Sequence, residues 1–210
     1  MGGKSYNSAP TLIAIVGGSG SGKTWLAEKL KTVFSPNAQR LALDDFYRDR
    51  SHLSVRRRAR INFDQPRAID WPAIEAALHS LAAGRPARIP SYDFATHSRK
   101  TFRILRPKQI ILVDGLWLLR RRSVRHLFRV RIFIDCPTKL RLRRRLARDL
   151  EARGRTAVSV RTQFWGMVEP MHRLYVAPQA HHADIVLRGS VHASDVTRLA
   201  AQIRRGIRPN

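Results

Sequence analysis

Short apolar runs recur along the chain, and longer amphipathic stretches separate them. Five of these runs show no regular polar alternation, and four of the five are rich in β-branched residues. Such runs predict strands that are buried on both faces of a parallel sheet, and the stretches between them predict helices that cover the sheet. The predicted strands are residues 11–16, 40–44, 109–114, 130–135 and 183–187. The pattern therefore predicts an α/β fold with a five-stranded, mainly parallel sheet between helical layers, in a single domain spanning 1–210.

A long insertion, residues 45–108, separates the second and third predicted strands. Within it, "DWPAIEAALHSLAAG" predicts a helix with Asp70 as N-cap, Pro72 in the first turn and Gly84 past its end. The segment "RIPSYDFATHSRKTFRIL" predicts an extended pair that projects from the core. Insertions of this length are usually functional or disordered, and the aromatic residues here argue against disorder.

Three of the predicted strands end in aspartate, namely Asp44, Asp114 and Asp135. Ligands of open α/β sheets gather at the carboxyl ends of the strands, so these carboxylates could converge on one site. For Asp135 we favour another interpretation. It precedes "CPTKL", which predicts that it caps a helix with Pro137 in the first turn.

The first predicted strand leads into a glycine-rich segment that fits the pattern GxxxxGK[ST]. Its glycines allow successive N–H groups to surround a phosphate chain, and the following helix adds the positive end of its dipole. The lysine reaches the outer phosphates and the threonine hydroxyl binds Mg²⁺. The segment predicts that a nucleoside triphosphate is held, with Mg²⁺, by Gly17, Gly18, Ser19, Gly20, Ser21, Gly22, Lys23 and Thr24.

Composition adds a large positive charge. Lys and Arg number 40 against 15 Asp and Glu, for a net charge of +25, and 33 of the 40 are arginine. This charge attracts anions such as nucleotides or nucleic acids, although arginine usage can also reflect a GC-rich genome. A single cysteine, Cys136, predicts a reducing, cytoplasmic setting. We expect no membrane segment, and a flexible tail over residues 1–10.

Polar residues in the insertion and near two strand ends could bind a phosphate acceptor. Asp44 and Asp45 follow the second strand, and only one of two neighbours in an extended segment should face the site, unless both form a solvated acidic turn. Asp64 could accept two hydrogen bonds from a diol. Asp114 resembles a Mg²⁺-binding carboxylate, with a turn aspartate before a glycine as the alternative. Alternating side chains on the extended pair could contact a flat ring, and these are Tyr92, Phe94 and His97.

The segment 138–156 predicts a strongly basic helix. At 100° per residue its arginines and leucines fall on opposite faces, so we expect the leucine face, Leu142, Leu146 and Leu150, to pack on the core. Repulsion among the clustered arginines favours an anionic partner for the other face. That face carries Arg141, Arg144, Arg145 and Arg148, and Arg153 and Arg155 flank a glycine in a candidate lid over the transferred phosphate.

Taken together, these motifs resemble the uridine kinase family, within the wider phosphoribulokinase/uridine kinase group. The matching segments occur in the family's order over roughly residues 13–188, and they are "GGSGSGKT", "LALDDFYR", "NFDQPRAID", "PSYDFATHSR", "VDG", "RLRRRLARD", "ARGRT" and "HHADIVL". The resemblance implies a P-loop kinase fold and phosphate transfer from ATP or GTP to the 5′-hydroxyl of a pyrimidine ribonucleoside. It also suggests a homo-oligomer.

The resemblance assigns roles to individual residues. It implies that Asp44 is the general base and also lies near the metal, that Lys23, Thr24 and Asp114 serve phosphate and Mg²⁺, and that an arginine cluster acts with them. The implied cluster and lid are Arg141, Arg144, Arg148, Arg153 and Arg155. The implied nucleoside contacts are Tyr47, Asp64, Tyr92, Phe94, His97 and Gln163.

Some positions depart from the family's pattern. Gln65, Arg67 and Ile69 replace His, Asp and Phe of the usual "NFDHPDAFD", and Asp114 replaces a glutamate. The added arginine would suit a more anionic acceptor. Two alternatives follow: a kinase of the same fold that acts on a sugar phosphate or another ribosyl compound, and a nucleic-acid-binding NTPase, for which the sequence contains no binding motif.

Overall fold

The protein is described by a computed structural model over residues 9–58, 61–94 and 96–207. The expected flexible tail falls mainly on residues 1–8, which lie outside the described residues. The strands are β1 Thr11–Gly17, β2 Ala38–Ala42, β3 Ala87–Asp93, β4 Ser98–Leu105, β5 Ile110–Gly115, β6 Val130–Asp135 and β7 Ile185–Arg188.

Five of these strands form one parallel sheet in the order β2-β5-β1-β6-β7. The central strand, β1, pairs with β5 and β6, which places the end of β1 between two neighbours that run in the same direction. β3 and β4 form a separate antiparallel hairpin. The prediction of a parallel α/β sheet with an antiparallel pair in the insertion is confirmed.

Helices connect and cover the strands. They are α1 Lys23–Val33, α2 Val55–Arg58, α3 Trp71–Ala82, α4 Arg122–Arg125, α5 Thr138–Arg153, α6 Ala157–Gln163, α7 Glu169–Met171 and α8 Ala193–Ile207. Two π-helical stretches, Phe164–Val168 and His172–Val176, flank α7. None of the described helices is long and apolar enough to pass through a bilayer.

Side chains of β1 divide the core into two layers, because alternate residues of a strand face opposite sides of a sheet. Leu12, Ala14 and Val16 pack with residues of α3 on one face. Ile13 and Ile15 pack with residues of α1 and α8 on the other. Helix α8, which the initial pattern did not predict, buries Val196, Leu199, Ala200 and Ile203 at helical spacing.

The predicted helix of the insertion is confirmed as α3. The Asp70 carboxylate accepts a hydrogen bond from the Ala73 amide at 3.3 Å, and Gly84 adopts a φ of +72° after the helix ends. Beyond it, β4 exposes most of its side chains, so the hairpin projects as expected.

One arginine joins this hairpin to the main sheet. The Arg99 guanidinium on β4 donates to the carbonyl oxygens of Tyr47 at 2.9 Å and Phe46 at 3.3 Å, and to the Asp70 carboxylate at 3.0 Å. The hairpin is therefore fixed both to the turn that follows β2 and to the start of α3.

Helix α5 is oriented opposite to the prediction. Leu142 and Leu146 are only partly buried and Leu150 is 44% exposed, whereas Arg141 and Arg145 are buried. The arginine face points inward because its guanidinium groups form ion pairs with buried carboxylates. The Arg141 guanidinium donates to the Glu169 carboxylate at 2.5 Å and to the Cys136 carbonyl at 3.1 Å.

Two predicted details near strand ends are wrong. Asp135 does not cap α5: the N-cap position is Pro137 with no side-chain hydrogen bond, and Asp135 ends β6 with an exposed side chain. Strand β2 ends at Ala42 rather than residue 44, because Leu43–Phe46 form a 3₁₀ turn.

The buried Arg141–Glu169 pair predicts a measurable loss of stability when it is broken. We expect Arg141→Met to lower the free energy of unfolding in urea by roughly 3 kcal/mol, because Glu169 would stay buried with only the exposed Arg173 as a cationic partner among the described residues. Arg143→Met, on the exposed side of the same helix, should change it by less than about 0.5 kcal/mol. Equal losses of stability in the two variants would contradict a stabilising role for the Arg141–Glu169 pair.

Candidate active site

The glycine-rich segment forms a tight loop between β1 and α1. Gly20 and Gly22 adopt φ values of +79° and +96°, and Gly22 is the N-cap of α1. A Cβ at Gly20 would lie 2.4 Å from the Arg141 carbonyl oxygen, so no side chain fits between the loop and α5. The loop thus has the left-handed glycine conformations and the helix N-terminus that phosphate binding requires.

Lys23, the first residue of α1, is partly buried beside carboxylates. Desolvation lowers its pKa, while the charges of Asp44 and Asp114 act in the opposite direction. A partly desolvated ammonium group near two carboxylates is suited to receive the negative charge of a phosphate chain.

Asp44 and Asp45 separate as predicted, although for a different reason. They lie in the 3₁₀ turn after β2, not in an extended segment. The Asp44 side chain lines a cleft that also contains Lys23. Within the described residues, its Oδ1 atom is buried with no hydrogen-bond partner. The Asp45 carboxylate accepts from Arg103 at 3.0 Å, away from the cleft lining. Burial raises the pKa of Asp44, as suits a group that accepts a proton near neutral pH.

The candidate metal residues lie together behind Lys23. The Thr24 hydroxyl donates to Asp114 Oδ2 at 2.9 Å. Arg40 binds both oxygens of the same carboxylate, at 2.6 and 3.1 Å, a contact that the sequence pattern did not indicate. Hydroxyl and carboxylate oxygens, with the unpartnered Oδ1 of Asp44, are ligand types that fit Mg²⁺. Because the described residues hold no group of three or more potential metal-binding His, Cys, Asp or Glu, phosphate and water would supply most ligands.

A single cleft of about 130 Å³ joins the loop to the insertion. Predicted site residues from both halves of the chain contribute to its wall. The lining residues are Ser19, Lys23, Asp44, Tyr47, Phe63, Asp64, Tyr92, Phe94, Leu116, Arg145, Arg148, Arg155 and Gln163.

Aromatic rings form the wall of the cleft contributed by the insertion. Tyr47 lies at the centre of a cluster, with ring centroids 5.2 Å from Tyr92, 5.9 Å from Phe63 and 6.0 Å from Phe94. Burial raises the pKa of Tyr47 well above its usual value, so this phenol stays protonated, and it donates to the Phe63 carbonyl at 3.2 Å. Packing of this kind offers a rigid surface for a flat ring.

His97 lies behind this wall and does not line the cleft. Its ring stacks on Phe63 at 4.2 Å, and its Nδ1 atom is 3.5 Å from the Tyr92 hydroxyl. A φ of +51° holds it at the turn of the hairpin. In this arrangement His97 supports Phe63, which the sequence pattern did not select.

The arginines of α5 divide into two groups. Arg148 and Arg155 line the cleft with Gln163, and so does Arg145, whose guanidinium donates to the Ser19 hydroxyl at 2.9 Å. Arg145 was part of the predicted stripe but was not among the predicted site residues. Its i, i+4 spacing from Arg141 was the available signal.

The other predicted arginines lie under the loop. Arg141 is paired with Glu169, and Arg144 donates to the Ser21 carbonyl at 3.2 Å and to the Ser190 hydroxyl at 2.7 Å. Neither lines the cleft. The Arg153 side chain lies outside the described residues, so its predicted role stays a prediction.

A glycine cradle followed by a lysine, a cleft carboxylate and an arginine cluster, carried on a parallel α/β sheet, define the class of P-loop kinases. The phosphoribulokinase / uridine kinase family matches residues 12–196. A uridine kinase of Brevibacillus brevis is 38% identical over 180 residues, covering 85% of this chain and 84% of that protein. A uridine kinase of Streptococcus gordonii is 37% identical over 183 residues, covering 85% and 86%.

Solved structures agree on the fold. The phosphoribulokinase from Rhodobacter spheroides superposes with a TM-score of 0.66 at 15% identity, covering 86% of this chain and 70% of that one. The sequence matches establish the family: the chain belongs to the phosphoribulokinase / uridine kinase family and is a kinase.

The two aspartates after β2 provide a matched test of the catalytic base. We expect Asp44→Asn to lower turnover by about 10²–10⁴-fold, the usual contribution of a general base, while binding of ATP measured by calorimetry persists. Asp45→Asn makes the same chemical change one residue away and should leave turnover within about threefold. A larger loss in the Asp45 variant would transfer the role to that residue.

The pKa shifts of Asp44 and Lys23 predict that the enzyme is active over a narrower pH range than the ordinary pKa values of these groups would allow. If Asp44 is the general base, it must be ionised; because its pKa is raised, we expect the acid limb of kcat/KM at a pH above 3.8. If Lys23 is the phosphate-binding cation, it must be charged; because its pKa is lowered, we expect the basic limb below pH 10.5. A pH–rate profile of the wild type and the Asp44→Asn variant checks this; an acid limb that survives unchanged in the variant would exclude Asp44 as its source.

Proposed function

We propose that the protein transfers the γ-phosphate of ATP or GTP to the 5′-hydroxyl of a pyrimidine ribonucleoside. The observation that carries the proposal is one cleft in which Lys23 and Asp44 face the aromatic wall of Tyr47, Tyr92 and Phe94. A phosphate chain at one end, a carboxylate in the middle and flat rings at the other match the three parts of such a reaction. Similarity to proteins named uridine kinase supports the choice of nucleoside.

In this proposal the chain supplies positioning and charge. Asp44 orients the acceptor hydroxyl toward the γ-phosphorus and accepts its proton. Lys23, Arg145 and Arg148 offset the charge that spreads over the transferred group. Thr24, Asp114 and Asp44 would hold Mg²⁺, whose charge would offset the negative charge of the phosphates.

Recognition of the acceptor rests on the insertion. The Asp64 carboxylate accepts hydrogen bonds from the ribose hydroxyls, and Phe94 stacks on the base. Gln163, whose amide oxygen accepts from Arg145 at 2.9 Å, joins the acceptor region to the arginine cluster. We further propose a cytoplasmic setting, in keeping with the buried free thiol of Cys136.

One observation favours a second candidate acceptor. Three guanidinium groups, Arg145, Arg148 and Arg155, line the cleft and would also suit a sugar phosphate. Arg67, the residue that first suggested this alternative, is exposed and does not line the cleft. The aromatic wall favours the nucleoside over the sugar phosphate.

A coupled assay with Mg²⁺-ATP tests the proposal against its alternatives. We expect turnover with uridine or cytidine, and little with ribulose 5-phosphate or without an acceptor. Preference for the sugar phosphate would select the second candidate. ATP hydrolysis that requires RNA or DNA, with no transfer to any nucleoside, would replace both by a nucleic-acid-dependent NTPase.

Two phenylalanines of the insertion allow a matched control in the same assay. Phe94 and Phe102 are 43% and 48% exposed, but only Phe94 lines the cleft, while Phe102 packs under Arg88. We expect Phe94→Ala to raise the nucleoside KM about tenfold, the loss of one ring contact, without changing the KM for ATP. Phe102→Ala should change neither KM. Equal effects of the two substitutions would place the nucleobase away from Phe94.

A further inference from the structure

Asp149, near the end of α5, is an ionisable residue with no access to solvent: its side chain is 0% exposed. It does not line the cleft, and none of the sequence motifs assigns it a role. Burying a carboxylate is costly unless cations surround it. Its contacts therefore indicate why the chain keeps a charge there.

Three arginines surround this carboxylate. Oδ1 accepts from Arg148 at 2.8 Å, while Oδ2 lies 3.4 Å from Arg145 Nε and 3.8 Å from Arg155 Nη1. These are the three arginines that line the cleft with Lys23 and Asp44. The carboxylate thus lies against all three arginines that line the cleft.

The main chain of Asp149 also binds the segment that follows α5. Its carbonyl oxygen accepts from the Gly154 amide and from the Arg155 amide at 3.1 Å. Gly154 adopts a φ of +58°, which lets the chain reverse and return Arg155 to the cluster. Gln163 adds a further link between two of these arginines, since its amide oxygen accepts from both Arg145 and Arg155.

Electrostatics explains the need for such a group. Guanidinium groups that converge on one cleft repel each other, most strongly where water is scarce. A carboxylate placed behind them offsets part of this repulsion and fixes their directions before phosphate arrives. Donors that are already oriented lose less free energy to reorganisation when charge develops on the transferred group.

We infer that Asp149 is a positioning residue for phosphoryl transfer, acting through Arg145, Arg148 and Arg155. The inference rests on the proposed function, because it assigns those arginines to the transferred phosphate. It makes no claim about which acceptor the kinase uses.

The test compares Asp149→Asn with Glu151→Gln, which removes the same charge from an exposed position of the same helix. We expect the Asp149 variant to lose about 100-fold in kcat, while calorimetry still shows one Mg²⁺-ATP bound per chain with a Kd within about threefold. Glu151→Gln should match the wild type. Retained stoichiometry excludes a smaller folded fraction as the cause, and Asp149→Glu should recover part of the rate.

A double-mutant cycle with Arg148→Gln separates positioning from general damage. If Asp149 acts through the arginines, Asp149→Asn should cost at least tenfold less in kcat when Arg148 is already absent. Additive losses, or wild-type kcat in the single variant, would overturn the inference.

Failure of the proposed function can be distinguished from failure of the inference about Asp149. The cycle is run on whichever acceptor the wild type phosphorylates, or on ATP hydrolysis by water where the panel contains none. A wild type that ignores nucleosides refutes the acceptor alone, whereas an unaffected Asp149→Asn variant refutes the inference whatever the acceptor.

Discussion

The architecture of the site depends on holding arginine side chains inside the protein, against a loop of glycines whose other side chains are the small hydroxymethyl groups of Ser19 and Ser21. Arg141 and Arg145 are buried against this loop, and the partly buried Lys23 lies at its end. Such groups are stable only with matched carboxylates. The chain has few acids, and it places Glu169, Asp149, Asp44 and Asp114 where the buried cations are. The surplus of arginine elsewhere does not alter this local balance.

The same constraint links the helices to the sheet. Because a Cβ at Gly20 would meet the main chain of Arg141, and one at Gly18 would meet the His172 ring at 2.7 Å, the loop can contact both α5 and the π-helical stretch that follows α7. The phosphate loop is therefore enclosed by two helical segments that are distant from it in sequence. Irregular helical turns of the π type are common beside functional sites, and here one delivers an imidazole to the loop.

Much of the fold could be predicted from the sequence because strands such as β1 and β5 are uninterrupted apolar runs. The phosphate loop and α3 carry local signals at fixed offsets. The orientation of α5 could not be predicted, since its leucines and arginines form equally regular stripes and the decision depends on Glu169 and Asp149, which only tertiary packing brings near. Arg40 was missed for the same reason: it lies on β2, beside β5, and its partner Asp114 is 74 residues away.

The contacts of Arg99 have a consequence for how acceptor choice can change. This side chain donates to the consecutive carbonyl oxygens of Phe46 and Tyr47, so it links the hairpin directly to the turn that carries Asp44. Side chains at the hairpin tip can then be exchanged while Asp44, the proposed base, keeps its position relative to the phosphate loop. Substitutions around Phe94 could therefore change which acceptor alcohol is bound without altering the rest of the site. Arg99 is the residue to keep constant in any library of such variants.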